Sequence, residues 1–558
     1  MSIKQRALSY ELLAGLFDLT IVILTIYMLK SCDFLKTSEN VALYCTILRM
    51  VLIYAISRIL FKILPRISYF SLLYLLVFLC AKETWTGVLQ LLGITGSNHL
   101  LFSVTGSFHN PGPYGGFLSV CVCVLLAYYV NGFDWNRVKI SKRLSLIVAC
   151  ITLLVIPFTQ SRSSLLSLIS VLLLIWFIEK KDSLKHYWKK YRVWLLSGIL
   201  IAGFGAYYIK KPSADGRIWI DRICVDAIRH NAGAGAGLNR FGGAYAQEQA
   251  LHFKRQIDKN GLHDLDWTAI PEHQRMTADC PDYAFNEYLE LGVEFGLAAL
   301  LVLVVMLLIP LYISFKSRSI WCYGLLSLSI FAFFSYPLHI RQFQLLFPLI
   351  LSACLSDAPS TYERNLIKYF GMLFLITIPV YVYPAINDLK PQIKKIEESK
   401  RRMEDVGMWS LNKCYELVAQ ECESLFPYLK NDKQYLLLYG EALSKNAEYD
   451  KSDSILLHGF NTSGDPAFLI MMGDNALEMQ RYSDAKEKYK QAFYVIPNRI
   501  YPLYKIAVLY NEQCDTVRFM RMSNLIDDFI PKVESARTRR YREDIHQIKN
   551  SLLSATHD

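Results

Sequence analysis

Residues 105–119 read TGSFHNPGPYGGFLS, a knot of Gly, Pro, Asn and His set between two strongly apolar runs. Gly106, Gly112, Gly115 and Gly116 permit tight turns and close backbone approach, while Pro111 and Pro113 fix φ and block helix continuation. Irregular polar backbone at the edge of hydrocarbon is tolerated only where protein or a polar cavity covers it. The N–H groups ahead of the apolar run that begins near Tyr114 are suited to cradling an anion, although a plain interfacial turn has a similar composition.

Outward from that stretch the sequence points to an all-α polytopic membrane protein. The chain has 558 residues, of which 53% are hydrophobic. Its mean hydropathy of +0.23 is high for a soluble protein of this length. Apolar runs long enough to span a bilayer recur near 12–30, 42–61, 68–94, 114–130, 144–158, 164–178, 193–209, 286–313, 319–337, 342–356 and 367–385, about eleven in all. The first has no small-residue cleavage pattern and precedes further spans, so it reads as an anchor. Short basic loops such as FKILPR, NGFDWNRVKISKR and EKKDSLKHYWKKYR fall on alternate connections and assign that side to the cytoplasm. The loops near 95–113, 159–163, 210–283 and 338–341 then face outward, as does everything past residue 386. The net charge of +11 lies largely in the inner loops, so it reflects topology and argues against nucleic-acid binding. Thirteen cysteines are scattered without CxxC spacing; Cys224 and Cys280 share the large outer loop and could pair as a disulfide.

Residues 1–385 form one domain, with its outer loop at 210–283, and residues 386–558 a second. The stretch DLKPQIKKIEESKRRMEDV after Ile386 is a charged, solvated helix. In PAFLIMMGDNALEMQRYSDAKEKYKQAFYVIPN, Leu469, Met472, Gly473, Ala476, Ala485, Tyr489, Ala492 and Pro497 fall where a 34-residue tetratricopeptide unit has them. Looser copies precede and follow it. The resemblance implies a helical solenoid with a concave surface facing a protein or glycan, and names no partner; the plainer reading is a stability or docking module.

Three polar stretches accompany the opening knot. Gln160 and Arg162 of PFTQSRSSLL sit at the outer junction of the fifth and sixth spans, where a charge must face a cavity or a partner. SADGRIWIDRICVDAIRH carries Arg217, Asp221 and Arg222 on an amphipathic helix, and the glycines from Gly233 to Gly243 make a flexible turn. GAGAGLNRFGG superficially suggests a nucleotide loop, but no strand precedes it, so Rossmann and P-loop readings fail. DCPDYAFNEYLELGVEFG brings Asp282, Asn286, Glu287, Glu290 and Glu294 to the outer end of the eighth span.

Together with Glu83, Gly87 and Gln90, the motifs GSFHNPGPYGG, SRSS, GRIW and FNEYLELGVEFG resemble, in order and spacing, the O-antigen ligase/polymerase family of membrane glycosyltransferases, over residues 10–360. The resemblance implies a GT-C-like fold in a bacterial inner membrane. It also implies metal-independent, inverting transfer of an oligosaccharide from polyprenyl diphosphate to lipid A core or protein, without a cofactor. Arg162 and Arg217 would hold the diphosphate, with Arg49, Asn110, Gln160, Arg222, Asn286 and His339 as substrate-binding residues. Guanidinium forks suit that role because a departing diphosphate develops negative charge. Arg49, about 12 Å into the second span, is either a carrier-phosphate contact or a buried structural pair. Where ligases of this family carry a His before the Asn, this chain has Phe285, which takes no proton. Either another base serves, with His109, Asp282, Glu287 and His339 the candidates by location and His109 and Glu287 foremost, or positioning and leaving-group stabilisation suffice. A repeat-unit polymerase uses the same donor and differs only in acceptor; a flippase is the alternative of another class, and no two-half repeat supports it.

Overall fold

A computed structural model describes residues 3–30, 40–131, 139–179, 211–231, 233–259, 265–356 and 366–555. Among them there is no strand, and the helices run α1 (Ile3–Lys30), α2 (Val41–Ile63), α3 (Pro65–Leu91), α4 (Pro111–Asn131), α5 (Lys139–Val155), α6 (Arg162–Glu179), α7 (Lys211–His230), α8 (Phe241–Lys259), α9 (Glu272–Thr277), α10 (Glu287–Lys316), α11 (Trp321–Ala332), α12 (Arg341–Ser356) and α13 (Leu366–Leu411). Six of the described helices, α1 to α5 and α10, contain stretches long and apolar enough to cross a membrane, and α6 and α11 carry shorter apolar stretches. They are compatible with a multi-pass membrane protein. The expected span at 193–209 lies outside the described residues.

Helix α4, which begins inside the opening knot, is the centre of this bundle. Its apolar stretch is 83% buried, against 22–44% for the other five, so it is enclosed while α10 exposes Leu301, Val302, Val305 and Leu308. An α-helix apolar on all faces buries all of them only when neighbours surround it, and α3, α5, α6 and α11 do so. Its glycines set the distances: a Cβ on Gly115 would meet the Ser164 and Thr159 hydroxyls, and one on Gly116 would strike the Phe331 ring.

At the other end of the bundle lies a charge cluster that periodicity does not reveal. Arg58 Nε and Lys62 Nζ reach the fully buried Asp18 carboxylate at 3.1 and 3.0 Å, and Tyr54 donates its hydroxyl to the same group at 2.6 Å. Arg58 also donates to Ser356 Oγ, so the cluster ties α1 and α2 to α12. Buried charges persist when paired and hydrogen-bonded in this way.

The boundary expected at residue 386 is not a break. Helix α13 runs through it for 46 residues, about 70 Å, packing on α1 and α2 at one end and on the C-terminal helices at the other. Those helices are α14 (Tyr415–Leu429), α15 (Lys433–Lys445), α16 (Tyr449–Ser463), α17 (Pro466–Glu478), α18 (Tyr482–Val495), α19 (Tyr501–Glu512), α20 (Thr516–Asp527) and α21 (Ala536–Ala555). Lys413, Ala447, Gln480 and Cys514 all have φ between 55° and 60°. They follow one another at intervals of 34, 33 and 34 residues. At each, the next N–H returns to a carbonyl five residues back, as Arg481 does to Ala476 at 2.8 Å and Cys414 to Trp409 at 3.0 Å. This is the same helix-ending turn four times over. The end of α13 is therefore the first helix of the first pair, a unit beyond the three legible in the sequence. Gly473 lies against the Tyr489 ring and Gly459 against Phe468, letting neighbouring helices approach.

The described residues of segment 210–283 and the C-terminal helices share one hydrophobic core, from Trp219 and Tyr245 to Phe493 and Ile545. Gln249 is its polar hub: its Oε1 accepts from Trp219 and Tyr245, and its Nε2 donates to the carbonyls of Asp279 and Val495. Asn498 donates to the carbonyls of Arg275 and Ala278, and the Arg275 guanidinium sits between the Trp267 and Phe529 rings. The expected flexible glycine turn is only half right. Gly235 and Gly237 turn with φ of 69° and 101°, whereas Gly242 and Gly243 lie in α8, where a side chain would collide with Ser463 and Asn461. The Cys224–Cys280 disulfide is absent: both thiols are free, Cys224 is enclosed in the core, and Cys280 donates to Gly464 O at 3.2 Å.

Gly243→Val should pry α8 from α16. The expected loss is on the order of 1–3 kcal/mol, as for other overpacked contacts. Limited proteolysis should then release a C-terminal fragment that the native protein retains.

Candidate active site

The knot is held by α3. Glu83, Gly87 and Gln90 lie one and two turns apart on one face. Glu83 accepts from the Ser107 N–H at 3.0 Å and its hydroxyl at 2.8 Å. Gln90 Oε1 accepts from the N–H groups of Thr105 and Gly106, at 2.9 and 2.8 Å, and Nε2 returns a bond to Gly106 O. Buried backbone that turns irregularly must be satisfied by side chains, and these two supply the partners. Gly87 leaves room for Tyr114, whose hydroxyl donates to Glu83 O. Gly106, at φ 57°, leaves none for a side chain against Tyr114.

Ser164 donates to Gly112 O, and Ser119 donates to Ser164 O, fastening the start of α4 to the start of α6. A cleft opens there, enclosing about 140 Å³ between Asn110–Pro113, Thr159–Ser163, Arg217, Phe285 and Tyr336. Residues from three of the segments that the charge pattern had assigned to one side, 95–113, 159–163 and 210–283, line it, together with Phe285, Ser335 and Tyr336 from the edges of the expected eighth and ninth spans. The N-terminal turns of α4 and α6 both border it, and helix N-termini carry partial positive charge.

Of the residues expected to form the site, Arg162, Arg217, Asn110 and Gln160 line this cleft. Arg217 donates to Phe334 O at 2.7 Å, with its guanidinium 5.4 Å from the Phe285 ring centre. Burial and then the neighbouring Arg162 charge hold the Arg217 pKa below the usual arginine range, while Asp221 and Tyr336 oppose them. Two like charges on one small cavity favour an anion between them. Asn110 accepts from Gly112 N and donates to Tyr336 Oη at 3.4 Å. Gln160 has a left-handed φ of 52°, ending the short helical turn before α6.

The other expected residues lie elsewhere. His109 is exposed and off the cleft. Arg222 is exposed too, since five residues carry it roughly 140° around α7 from Arg217. Arg49 is exposed on α2, so it is neither a buried pair nor a cleft residue. Asn286 caps α10, accepting from Tyr288 N and Leu289 N. Glu287 accepts from Leu338 N at 2.6 Å, and His339 pairs with Glu290 at 2.7 Å. Burial pulls the His339 pKa down, but the Glu290 hydrogen bond and the charges of Glu290, Glu287 and Glu294 outweigh it and leave the value raised. Glu287 and His339 border a second, apolar cavity of about 510 Å³ between α1, α2, α10 and α12, and Asp282 is exposed.

Phe285 occupies the cleft in a left-handed conformation, φ 54°, an uncommon state for an aromatic residue that surrounding contacts must hold in place. Its ring meets Tyr336 edge-on at 5.4 Å, and Tyr336 stacks on Tyr283 at 5.0 Å. Sequence reasoning missed Tyr336, whose only signal was the SYPLH turn between two apolar runs. No protein-family model and no curated protein sequence matches this chain.

One turn beyond Arg217, Asp221 is pushed up to about 6, chiefly by burial, against the Asn286 hydrogen bond and the Arg217 charge. Its folded value exceeds the unfolded one, so its stabilising contribution is present at low pH and lost as pH rises through about 6. Ionised Asp221 also offsets Arg217. Sulfate affinity for the cleft should fall a few-fold as pH rises through about 6, and Asp221→Asn should abolish that step in a titration series.

Proposed function

We propose that the chain transfers a glycan from a polyprenyl diphosphate carrier to an acceptor, in the manner of O-antigen ligases, at the extracytoplasmic face of a bacterial inner membrane. In this reading about eleven spans carry the reaction cleft, and the C-terminal helix pairs form a tetratricopeptide-type solenoid on the same side. The observation that carries the proposal is the meeting of Arg162 and Arg217 with two helix N-termini on one cleft. Guanidinium groups and helix dipoles together suit a diphosphate. The apolar cavity supports the same reading, since it is bordered by Glu287 and Leu338, two residues on from Phe285 and Tyr336 of the cleft, and an isoprenoid chain needs an apolar path beside its charged head. The 33- to 34-residue recurrence of one turn supports the solenoid.

In the reaction, the bond between the anomeric carbon and the diphosphate oxygen breaks with its electron pair on the diphosphate. The acceptor oxygen forms the new bond from the opposite face, which inverts the centre. Arg162 and Arg217 stabilise the charge gathering on the leaving group, the largest electrostatic demand of the step. Phe285 cannot serve as base. His109, Asp282, Glu287 and His339 do not line the cleft, so the acceptor proton leaves to the released diphosphate or to water.

Arg162→Ala and Arg217→Ala should each cut glycan transfer about 100-fold or more, the scale of losing one preorganised charge donor, with membrane insertion unchanged. Full glycan profiles on gels from both variants would remove the proposal. Transfer should also persist in chelator; a loss restored by magnesium or manganese would contradict the metal-free mechanism.

A further inference from the structure

A second polar groove, of about 590 Å³, lies where the far end of α7 meets α8 and the C-terminal helices. Arg240, Ala244, Gln247, Leu251 and Arg255 recur along it at helical spacing, so one face of α8 and the turn before it form its floor. Across it, His230 Nδ1 and Glu248 Oε2 hydrogen-bond at 2.5 Å, and Gln247 donates to Asn461 of α16 at 2.9 Å. The floor is rigid because Gly242 and Gly243 clamp α8 against α16.

Arg240 and Arg255 are exposed, and neither has an ion-pair partner among the described residues. Fifteen residues of helix separate them by about 22 Å, too far to share one phosphate or sulfate. Between them stand the Gln247 and Asn461 amides and the His230 imidazole, with the Glu248 carboxylate taken up by its bond to His230, over the small or short side chains of Ala236, Ala244 and Leu251. Arg217 and His230 lie thirteen residues apart on α7, so the groove begins roughly 20 Å from the reaction cleft.

We propose that this groove binds an anionic oligosaccharide, with its acidic sugars on Arg240 and Arg255 and its hydroxyls on the amides between. Resting on the glycan-transfer reading above, this makes the groove the track along which the carrier-linked chain extends from the cleft, and the cargo an acidic one.

The test titrates full-length protein in lipid nanodiscs with an octasaccharide containing alternating uronic acids, a neutral maltooctaose and an octaglutamate peptide, by calorimetry. The acidic octasaccharide should bind best, and more weakly as salt is raised. The Arg240→Gln/Arg255→Gln variant should lose about tenfold per arginine, the scale of one charge-assisted hydrogen bond, while its melting temperature and its pyrophosphate affinity stay unchanged. Arg217→Ala should do the reverse, losing pyrophosphate and keeping the octasaccharide, so failure of the cleft and failure of the groove are separable. Equal binding of neutral and acidic sugars, equal binding of octaglutamate, or unchanged affinity in the double variant would overturn the proposal.

Discussion

A chain that turns irregularly inside an apolar bundle must give every N–H and C=O it exposes a partner. Two side chains two turns apart on one face of α3, Glu83 and Gln90, meet that demand for Thr105, Gly106 and Ser107. Because they hold the loop, α4 can start at Pro111, buried on all sides, with its first turn open to a cleft rather than to its own backbone. The serines of α6 then lock onto Gly112, and Arg162 is delivered to the same cleft. Without that satisfied loop neither helix end would have a fixed place.

The cleft concentrates positive potential and lacks an obvious proton acceptor. Phe285 is kept in a left-handed state there, its ring against the Arg217 guanidinium and Tyr336. The carboxylates and the histidine nearby serve other ends. Glu287 and Glu290 hold the loop backbone at Leu338 and Ala284, and His339 is bound to Glu290. This distribution agrees with the proposed reaction, which rests on stabilising a departing anion rather than on abstracting a proton early.

Segment 210–283 and the C-terminal helices act as one body because Gln249, Asn498 and Arg275 join them through hydrogen bonds. This is tighter than a tethered docking module. The continuous helix α13 adds a second, covalent brace from the bundle to the same body. A cleft whose Arg217 rides on α7, packed into that shared core, inherits its position from residues more than two hundred places further along the chain.

The sequence alone determined the helical class and most apolar stretches, and it singled out four of the residues that line the cleft. Each follows from something local: composition, period, or a charge that hydrocarbon does not tolerate. Tertiary structure decided which polar residues face one another. Arg222, five places from Arg217, turns away, and Glu287 is drawn off to Leu338; neither fact is encoded in spacing. It also decided the first helix pair, hidden because its first helix is the tail of a longer one that begins in the apolar bundle. Periodicity reports which face of a helix is apolar, but which neighbour covers that face, and which backbone group a side chain reaches, depends on contacts between segments far apart in the chain.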